Sequence, residues 1–300
     1  MTYAGHGTTI HSVATAPATT AILFPGQGSQ TSGMAAVSAA HRPDLLEQAR
    51  AELGADPFEQ IAAGTHFAQP ALYCASLAHY KQAGSPAGEL IAGHSLGELA
   101  ALVAGGALEA EEGLRLAVVR GRLMEEAAGT SPGGMMAVLG GEDETVRALA
   151  AGFELTVAND NAPGQVVLSG ASEALSEARR QIRADGLKAI RLPVTGAFHS
   201  PLMAGAAEQF RLALDGAEFR RPELPVFSST AAAPFTDVRA GLAAALTQPV
   251  IWQATLKRMR ADGARTFLET GPGDVLTGLV RRTLDDVEAR SLAEPEAVHA

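Results

Sequence analysis

The sequence predicts an α/β fold: a large domain with a mostly parallel sheet, carrying a small inserted subdomain. Two patterns point there. Short apolar runs bounded by turn residues alternate with longer helical runs, the signature of strand and helix in succession. Between Gly133 and Val194 the order changes to strand, helix, strand, strand, helix, strand, which is the ferredoxin-like βαββαβ unit.

The elements follow in chain order. The segment "TAILFPGQG" reads as a strand running into a glycine-rich turn, and "PALYCASLAHYKQ" as a helix with a buried face. "GELIAGHS" is the next strand, and "LGELAALVAGG" a helix stopped by Gly105 and Gly106. "EEGLRLAVVRGRLMEE" is a further helical run. The small unit is then spelled out by "GMMAVLG", "EDETVRALAAG", "ELTVAND", "GQVVLSG", "SEALSEARRQIRADG" and "KAIRLPV". We therefore expect a flexible tail over residues 1–18, a large domain over 19–131 and 196–296, and a small subdomain over 132–195. A cleft between the two is the natural ligand site.

Composition narrows the function. The chain has 300 residues, 47% of them hydrophobic and 19% charged, the balance of a soluble globular protein. No apolar run approaches the roughly 20 residues of a spanning helix. The N-terminal stretch lacks the basic and apolar regions of a secretory signal, and the single Cys74 forbids an internal disulfide, so a cytoplasmic location is expected. Cys74 reads as core packing. A net charge of −10 opposes nucleic-acid binding. Metal-ligand spacings such as H-E-x-x-H are missing, which argues against a metal hydrolase.

The chemistry gathers around "GHSLG", residues 93–97. G-x-S-x-G between a strand and a helix fits a nucleophile elbow, which extends the reading of the large domain to α/β-hydrolase-like. Ser95 then stands at a helix N-terminus, where amides and partial positive charge favour an oxyanion. The same placement also suits a plain serine N-cap. A nucleophilic serine needs a base. Among the eight histidines, His6, His11 and His299 fall near the chain ends, and His41, His66 and His79 have no distinctive spacing. His94 neighbours the serine but should point to the other face and pack. His199, in "LPVTGAFHSPLM" where the chain re-enters the large domain, is the candidate base. Arg120 reads from its surroundings as an ordinary solvated arginine.

Several segments together resemble the malonyl-CoA:acyl carrier protein transacylases and the related acyltransferase domains of polyketide synthases. They are "FPGQGSQ" (24–30), "GHSLGE" (93–98), "VVRGRLM" (118–124), "VANDNAPGQVVLSG" (157–170), "GAFHSPLM" (196–203), "QPVIW" (248–252) and "LETGPGDVLTGLVRR" (268–282). The resemblance implies that Ser95 is acylated and that His199 is its base, oriented by a main-chain carbonyl that falls at Ala245. It implies an oxyanion hole from the amides of Gln27 and Leu96. Arg120 would pair with the free carboxylate of a malonyl group, to which its planar fork is suited, while Arg122 faces elsewhere. Phe198 would crowd out a 2-methyl branch, and Gln69 would stand near the site. Asp274 departs from the lysine often found there.

The function so implied is ping-pong transfer of malonyl from malonyl-CoA to the phosphopantetheine thiol of holo acyl carrier protein, by a cytoplasmic monomer with no cofactor of its own, in fatty-acid biosynthesis. The alternatives are a trans-acting polyketide acyltransferase, an acyl-carrier-protein hydrolase using the same dyad, and a carrier-binding scaffold without catalysis. Arg220 and Arg221, Lys257, Arg258 and Arg260, or Arg281 and Arg282 are candidate contacts for an acidic carrier.

Overall fold

A computed structural model describes residues 19–293. In chain order the strands are β1 (Thr19–Phe24), β2 (Leu90–Gly93), β3 (Gly133–Leu139), β4 (Thr156–Ala162), β5 (Gln165–Ala171), β6 (Lys188–Arg191), β7 (Val226–Ser228), β8 (Ala233–Pro234), β9 (Ala264–Glu269) and β10 (Glu288–Ser291). The helices are α1 (Met34–His41), α2 (Pro43–Leu53), α3 (Thr65–Gln82), α4 (Gly97–Ala104), α5 (Ala110–Thr130), α6 (Asp143–Gly152), α7 (Ser172–Ala184), α8 (Ala204–Asp215), α9 (Val238–Ala244), α10 (Trp252–Ala261) and α11 (Val275–Thr283). A 3-10 turn covers Pro201–Met203. The tail expected over residues 1–18, and residues 294–296 of the expected large domain, lie outside the described residues.

Two sheets organise the chain. The first is six-stranded, in the order β10-β9-β1-β2-β7-β8. Its first five strands run parallel, with β8 antiparallel at the edge. Parallel strands are buried on both faces and therefore read as unbroken apolar runs, as "AILF" and "LIAG" do. One side is closed by α3, α4 and α5, around Phe24, Leu72, Tyr73 and Leu99; the other by α10 and α11, around Trp252, Phe267 and Leu279. Cys74 is buried in the first of these layers, where burial pushes its thiol up to about 12.

The second sheet is four-stranded and antiparallel, in the order β4-β5-β3-β6. Met136, Val138, Leu168 and Ala189 pack on one face against α6 and α7 through Val146, Leu175 and Ile182. Alternation turns Met135, Val167 and Asn161 to the other face, which lines a cavity above the first sheet.

The sequence did not reveal how firmly the two sheets are joined. Asp160 donates its amide to the Val250 carbonyl, and the Val250 amide donates to Ala158, so β4 is stitched to the chain entering α10. Gln253 of α10 also donates to Asp160 at 3.1 Å. His94, at the end of β2, meets Asn161 of β4 at 2.9 Å.

The crossing of β1 and α4 fixes the elbow. The His94 amide donates to Phe24 O at 2.9 Å. A Cβ on Gly97 would lie 2.2 Å from that oxygen, and one on Gly93 would lie 2.0 Å from the Gly97 carbonyl carbon. Both positions are therefore restricted to glycine by contact with rigid backbone. Gly97→Ala should destabilise the fold by about 1–3 kcal/mol, the usual cost of overpacking, read as a shift in the urea midpoint with unchanged slope. An unaltered midpoint would mean that the elbow relaxes freely.

Candidate active site

The elbow and the segment after the small sheet each hold one side chain in an unusual backbone conformation. Ser95 has φ +53° and His199 φ +56°, in the left-handed region that side chains rarely adopt. The strain aims the two at each other. Ser95 Oγ and His199 Nε2 are 2.9 Å apart. His199 Nδ1 lies 2.7 Å from the Ala245 carbonyl and 3.2 Å from that of Gln248. Carbonyls only accept, so Nδ1 carries the proton and Nε2 presents its lone pair to the serine hydroxyl. A backbone acceptor therefore sets the tautomer. The sequence pointed to Ala245; the second acceptor, Gln248, it did not.

His199 is 4% exposed. Burial, and next the positive field of Arg120, lower its pKa to about 3. The imidazole is thus neutral throughout the physiological range, and its conjugate acid gives up a proton readily.

Arg120 projects from α5 beneath the serine. Its NH2 donates to Ser95 Oγ at 3.0 Å and its NH1 to Gln69 Oε1 at 2.7 Å. It is 4% exposed, and no carboxylate among the described residues forms an ion pair with it. Expected from its neighbours to be solvated, it is instead a buried guanidinium held by neutral acceptors. Burial lowers its pKa to about 10, so it stays charged. Arg122, two positions on, is exposed and pairs with Glu126 at 2.9 Å.

Gln69 is fully buried on α3. It donates to Thr65 Oγ1 at 3.3 Å and to Met124 Sδ at 3.2 Å, and Thr65 donates to Gln27 Oε1 at 2.8 Å. The glycine-rich turn after β1 is thereby tied through α3 to Arg120 and the serine. Gln27 and Leu96 both line the cavity beside Ser95. In the elbow, the amides of Gly97, Glu98 and Leu99 donate back to His94, Ser95 and Leu96, and the Leu96 amide lies outside that set.

The cavity itself measures about 620 Å³. Met135, Val167, Leu192, Val194 and Phe198 make one wall apolar; Ser95, His199, Thr65, Asn159 and Asn161 supply polar groups. Arg120 and Gln69 are not among the lining residues; Arg120 meets the cavity through its bond to Ser95. Phe198, 5% exposed, sits directly before the histidine. His94 packs its ring on Trp252, centroids 5.2 Å apart, as expected, yet it also reaches the cavity and Asn161.

Glu98 is a participant that sequence reasoning passed over. Buried one turn after Ser95, it accepts from the Ser229 amide at 2.7 Å and its hydroxyl at 2.9 Å. Burial raises its pKa to about 7 against those bonds and the field of Arg120. The Ser229 carbonyl accepts from Ile251, which follows the segment bearing Ala245 and Gln248. Glu98 so links the helix that follows Ser95 to the chain whose carbonyls bond His199. Its place inside "GHSLGE" was the available signal.

Comparison with known proteins places the chain in a family. The acyl transferase domain profile covers residues 22–295. The chain belongs to the acyl transferase family. The malonyl CoA-acyl carrier protein transacylase of Escherichia coli K12 is 38% identical over 302 residues, covering 93% of this chain and 97% of that protein. The protein of that name from Bacillus subtilis 168 is 36% identical over 300 residues, covering 93% and 94%. Among solved structures, the Coxiella burnetii malonyl CoA-acyl carrier protein transacylase superposes with a TM-score of 0.85 at 33% identity, covering 92% and 94%. A malonyl-transacylase solved in complex with its type II polyketide acyl-carrier protein gives 0.82 at 35% identity, covering 91% and 95%.

For an acyl transferase with this dyad, serine reactivity should persist far into acid. Inactivation by a sulfonyl fluoride should stay nearly flat from about pH 8 to pH 5, because the base is protonated only well below the ordinary histidine value. Arg120→Gln removes one of the two main causes of the depression and should move the acid limb upward. A limb near 6.5 in the unaltered enzyme would contradict the buried, neutral base.

Proposed function

We propose that this acyl transferase moves a malonyl group from malonyl-CoA to the phosphopantetheine thiol of holo acyl carrier protein, supplying fatty-acid biosynthesis. The observation that carries the reading is Arg120: a buried guanidinium 3.0 Å from the serine oxygen that forms no ion pair among the described residues, Glu98 acting on it only through its field. A charge buried in that way is complementary to an anion brought by the substrate.

Each step uses atoms of the site. Ser95 passes its proton to His199 Nε2 as Oγ attacks the thioester carbonyl. The tetrahedral oxyanion is held by the amides of Gln27 and Leu96. Collapse breaks the C–S bond, and the imidazolium, a strong acid in its buried setting, returns the proton to the departing CoA sulfur. The malonyl ester remains on Ser95 with its carboxylate on Arg120, and Gln69 holds the other side of the guanidinium. The carrier thiol then attacks, giving its proton to His199, and Ser95 recovers it as the product leaves.

The acyl carboxylate has a second effect. By balancing Arg120 it offsets part of the field that depresses His199, so malonyl strengthens the base that transfers it. An acetyl group brings no such balancing charge. Phe198 crowds the space beside the histidine, and a branched acyl group should be disfavoured by about 1–3 kcal/mol, the range for one methyl.

The family relatives support this reading by their names, and the chain spans nearly their whole length. To the same proposal belong a large α/β-hydrolase-like unit over 19–131 and 196–296, a small ferredoxin-like unit over 132–195, and action as a cytoplasmic monomer. Among the described residues no helix is long and apolar enough to cross a membrane.

Brief mixing with malonyl-CoA should add one malonyl group to the intact mass, and holo carrier should remove it as the carrier gains the same mass. Loss of the adduct to water at the same rate without carrier would favour an acyl hydrolase instead. Ser95→Ala should form no adduct. Arg120→Ala should lower malonyl loading on the order of 10²-fold, the scale of one lost buried charge pair, while sparing acetyl loading. Equal losses for both donors would sink the carboxylate role.

A further inference from the structure

A proline stands between one of the carbonyls bonded to the base and the chain that anchors it. His199 Nδ1 faces two carbonyls, Ala245 at 2.7 Å and Gln248 at 3.2 Å. The first belongs to the turn that ends α9, where the amides of Thr247 and Gln248 both donate to Ala244 O. The second is followed by Pro249. Proline fixes its own φ at about −65° and drives the preceding residue into extended backbone, so the Gln248 carbonyl is turned by whatever holds Val250.

Val250 is held by the small sheet. Its amide donates to Ala158 O at 2.9 Å and its carbonyl accepts from the Asp160 amide at 2.8 Å, a parallel bridge onto the edge strand β4. Side chains fasten the same two segments three residues further on. Gln253 Nε2 donates to Asp160 Oδ1 at 3.1 Å and to Oδ2 of Asp143, at the start of α6, at 3.3 Å. Lys257 donates to Gln253 Oε1, and Arg147 to Asp160 Oδ2 at 2.6 Å. Asp160 and Gln253 are 9% and 8% exposed. Asp143 and Asp160 are thus balanced by Arg147 and Lys257 around one buried amide. Removing one member of such a network leaves the others unsatisfied.

The cluster stands apart from the catalytic cavity, which neither Asp160 nor Gln253 lines. The residues on either side of Asp160 do line it. Asn159 and Asn161 face the cavity, and Asn161 Oδ1 meets His94 Nε2 of the elbow at 2.9 Å. One strand is therefore bonded to the nucleophile's elbow through residue 161 and to the base's segment through residue 160. Its register on the chain entering α10 bears on both halves of the dyad.

We propose that Asp160 and Gln253 are positioning residues for the base: their bond fixes the register of β4 on the chain entering α10 and, through Pro249, keeps the Gln248 carbonyl on His199 as a second acceptor. The proton taken from Ser95 makes an imidazolium, and two carbonyls hold that cation better than one. The inference rests on the dyad of Ser95 and His199 and on no particular acyl donor.

Two variants test it. Gln253→Met removes both donors at similar volume, and Asp160→Ala removes their acceptor. Serine reactivity is read as the rate of inactivation by a sulfonyl fluoride, and the state of the base as the Nδ1–H proton resonance of His199, assigned by its loss in His199→Ala. Inactivation and kcat for malonyl loading should fall together by about 3–10-fold, the scale of one weakened hydrogen bond, with the KM for malonyl-CoA within about twofold. The His199 resonance should move upfield as its bond to Gln248 lengthens. Asp160→Asn keeps an oxygen for Gln253 and should restore most of the rate, because the half-exposed Arg147 is free to turn to solvent. Arg147→Gln should leave the rate within about twofold, since it cuts only a partly exposed ion pair. Unchanged inactivation with an unmoved resonance would overturn the proposal, and if one variant does not fold the other decides. So would an equal loss in Arg147→Gln, which would assign the effect to the outer ion pair, or a slower rate with the resonance in place, which would point to general loosening of the fold. An unaltered enzyme that reacts with the sulfonyl fluoride but takes up no malonyl would refute the transacylase reading alone, a result distinct from all of these.

Discussion

Everything in the site is arranged around a buried guanidinium that forms no ion pair among the described residues. Taking such a charge from water costs several kcal/mol even after relaxation, and the neutral acceptors Gln69 and Ser95, with the field of Glu98, recover part of it. That cost is sustained by the surrounding fold. The packed helices α3 and α5 bring Gln69 to one edge of Arg120, and the elbow brings Ser95 to another. From there hydrogen bonds run in both directions, through Gln69 and Thr65 to Gln27, and through Ser95 and His199 to the carbonyls of Ala245 and Gln248. Arg120, Ser95 and His199 are parts of one connected network.

Rigidity elsewhere serves that network. Ser95 and His199 both occupy left-handed backbone, a conformation that persists only when its surroundings overdetermine it. For the serine, these surroundings are the glycine-restricted crossing with β1 and the Glu98 bonds to Ser229. For the histidine, they are the segment ending at Ile251, which is itself stitched to β4 of the small sheet. The small sheet therefore does more than roof the cavity, because it helps fix the segment whose carbonyls bond His199.

Much of this was legible in the sequence, for physical reasons. The parallel strands announced themselves as unbroken apolar runs, and the small unit by its order of periods. G-x-S-x-G required glycine on both sides of a strained turn, and the contacts at Gly93 and Gly97 are the cause. Arg120 was not legible from its surroundings, since "LRLAVVRGRLMEE" is as charged as a solvated helix and only the resemblance singled it out; burial depends on α3, some fifty residues away. Glu98 and Asn161 went unassigned for the same reason, as each acts through a partner distant in sequence.

The central claim is that Arg120 is an ion-pair half completed by the acyl group. A crystal structure of the malonyl-Ser95 ester, trapped without carrier protein, tests it most directly. The account predicts that the contact between Arg120 and Ser95 Oγ is replaced by a two-pronged pair with the malonyl carboxylate, at about 2.7–2.9 Å, with Gln69 still bonded to the guanidinium. A carboxylate turned to solvent, with Arg120 still on the serine oxygen, would contradict it.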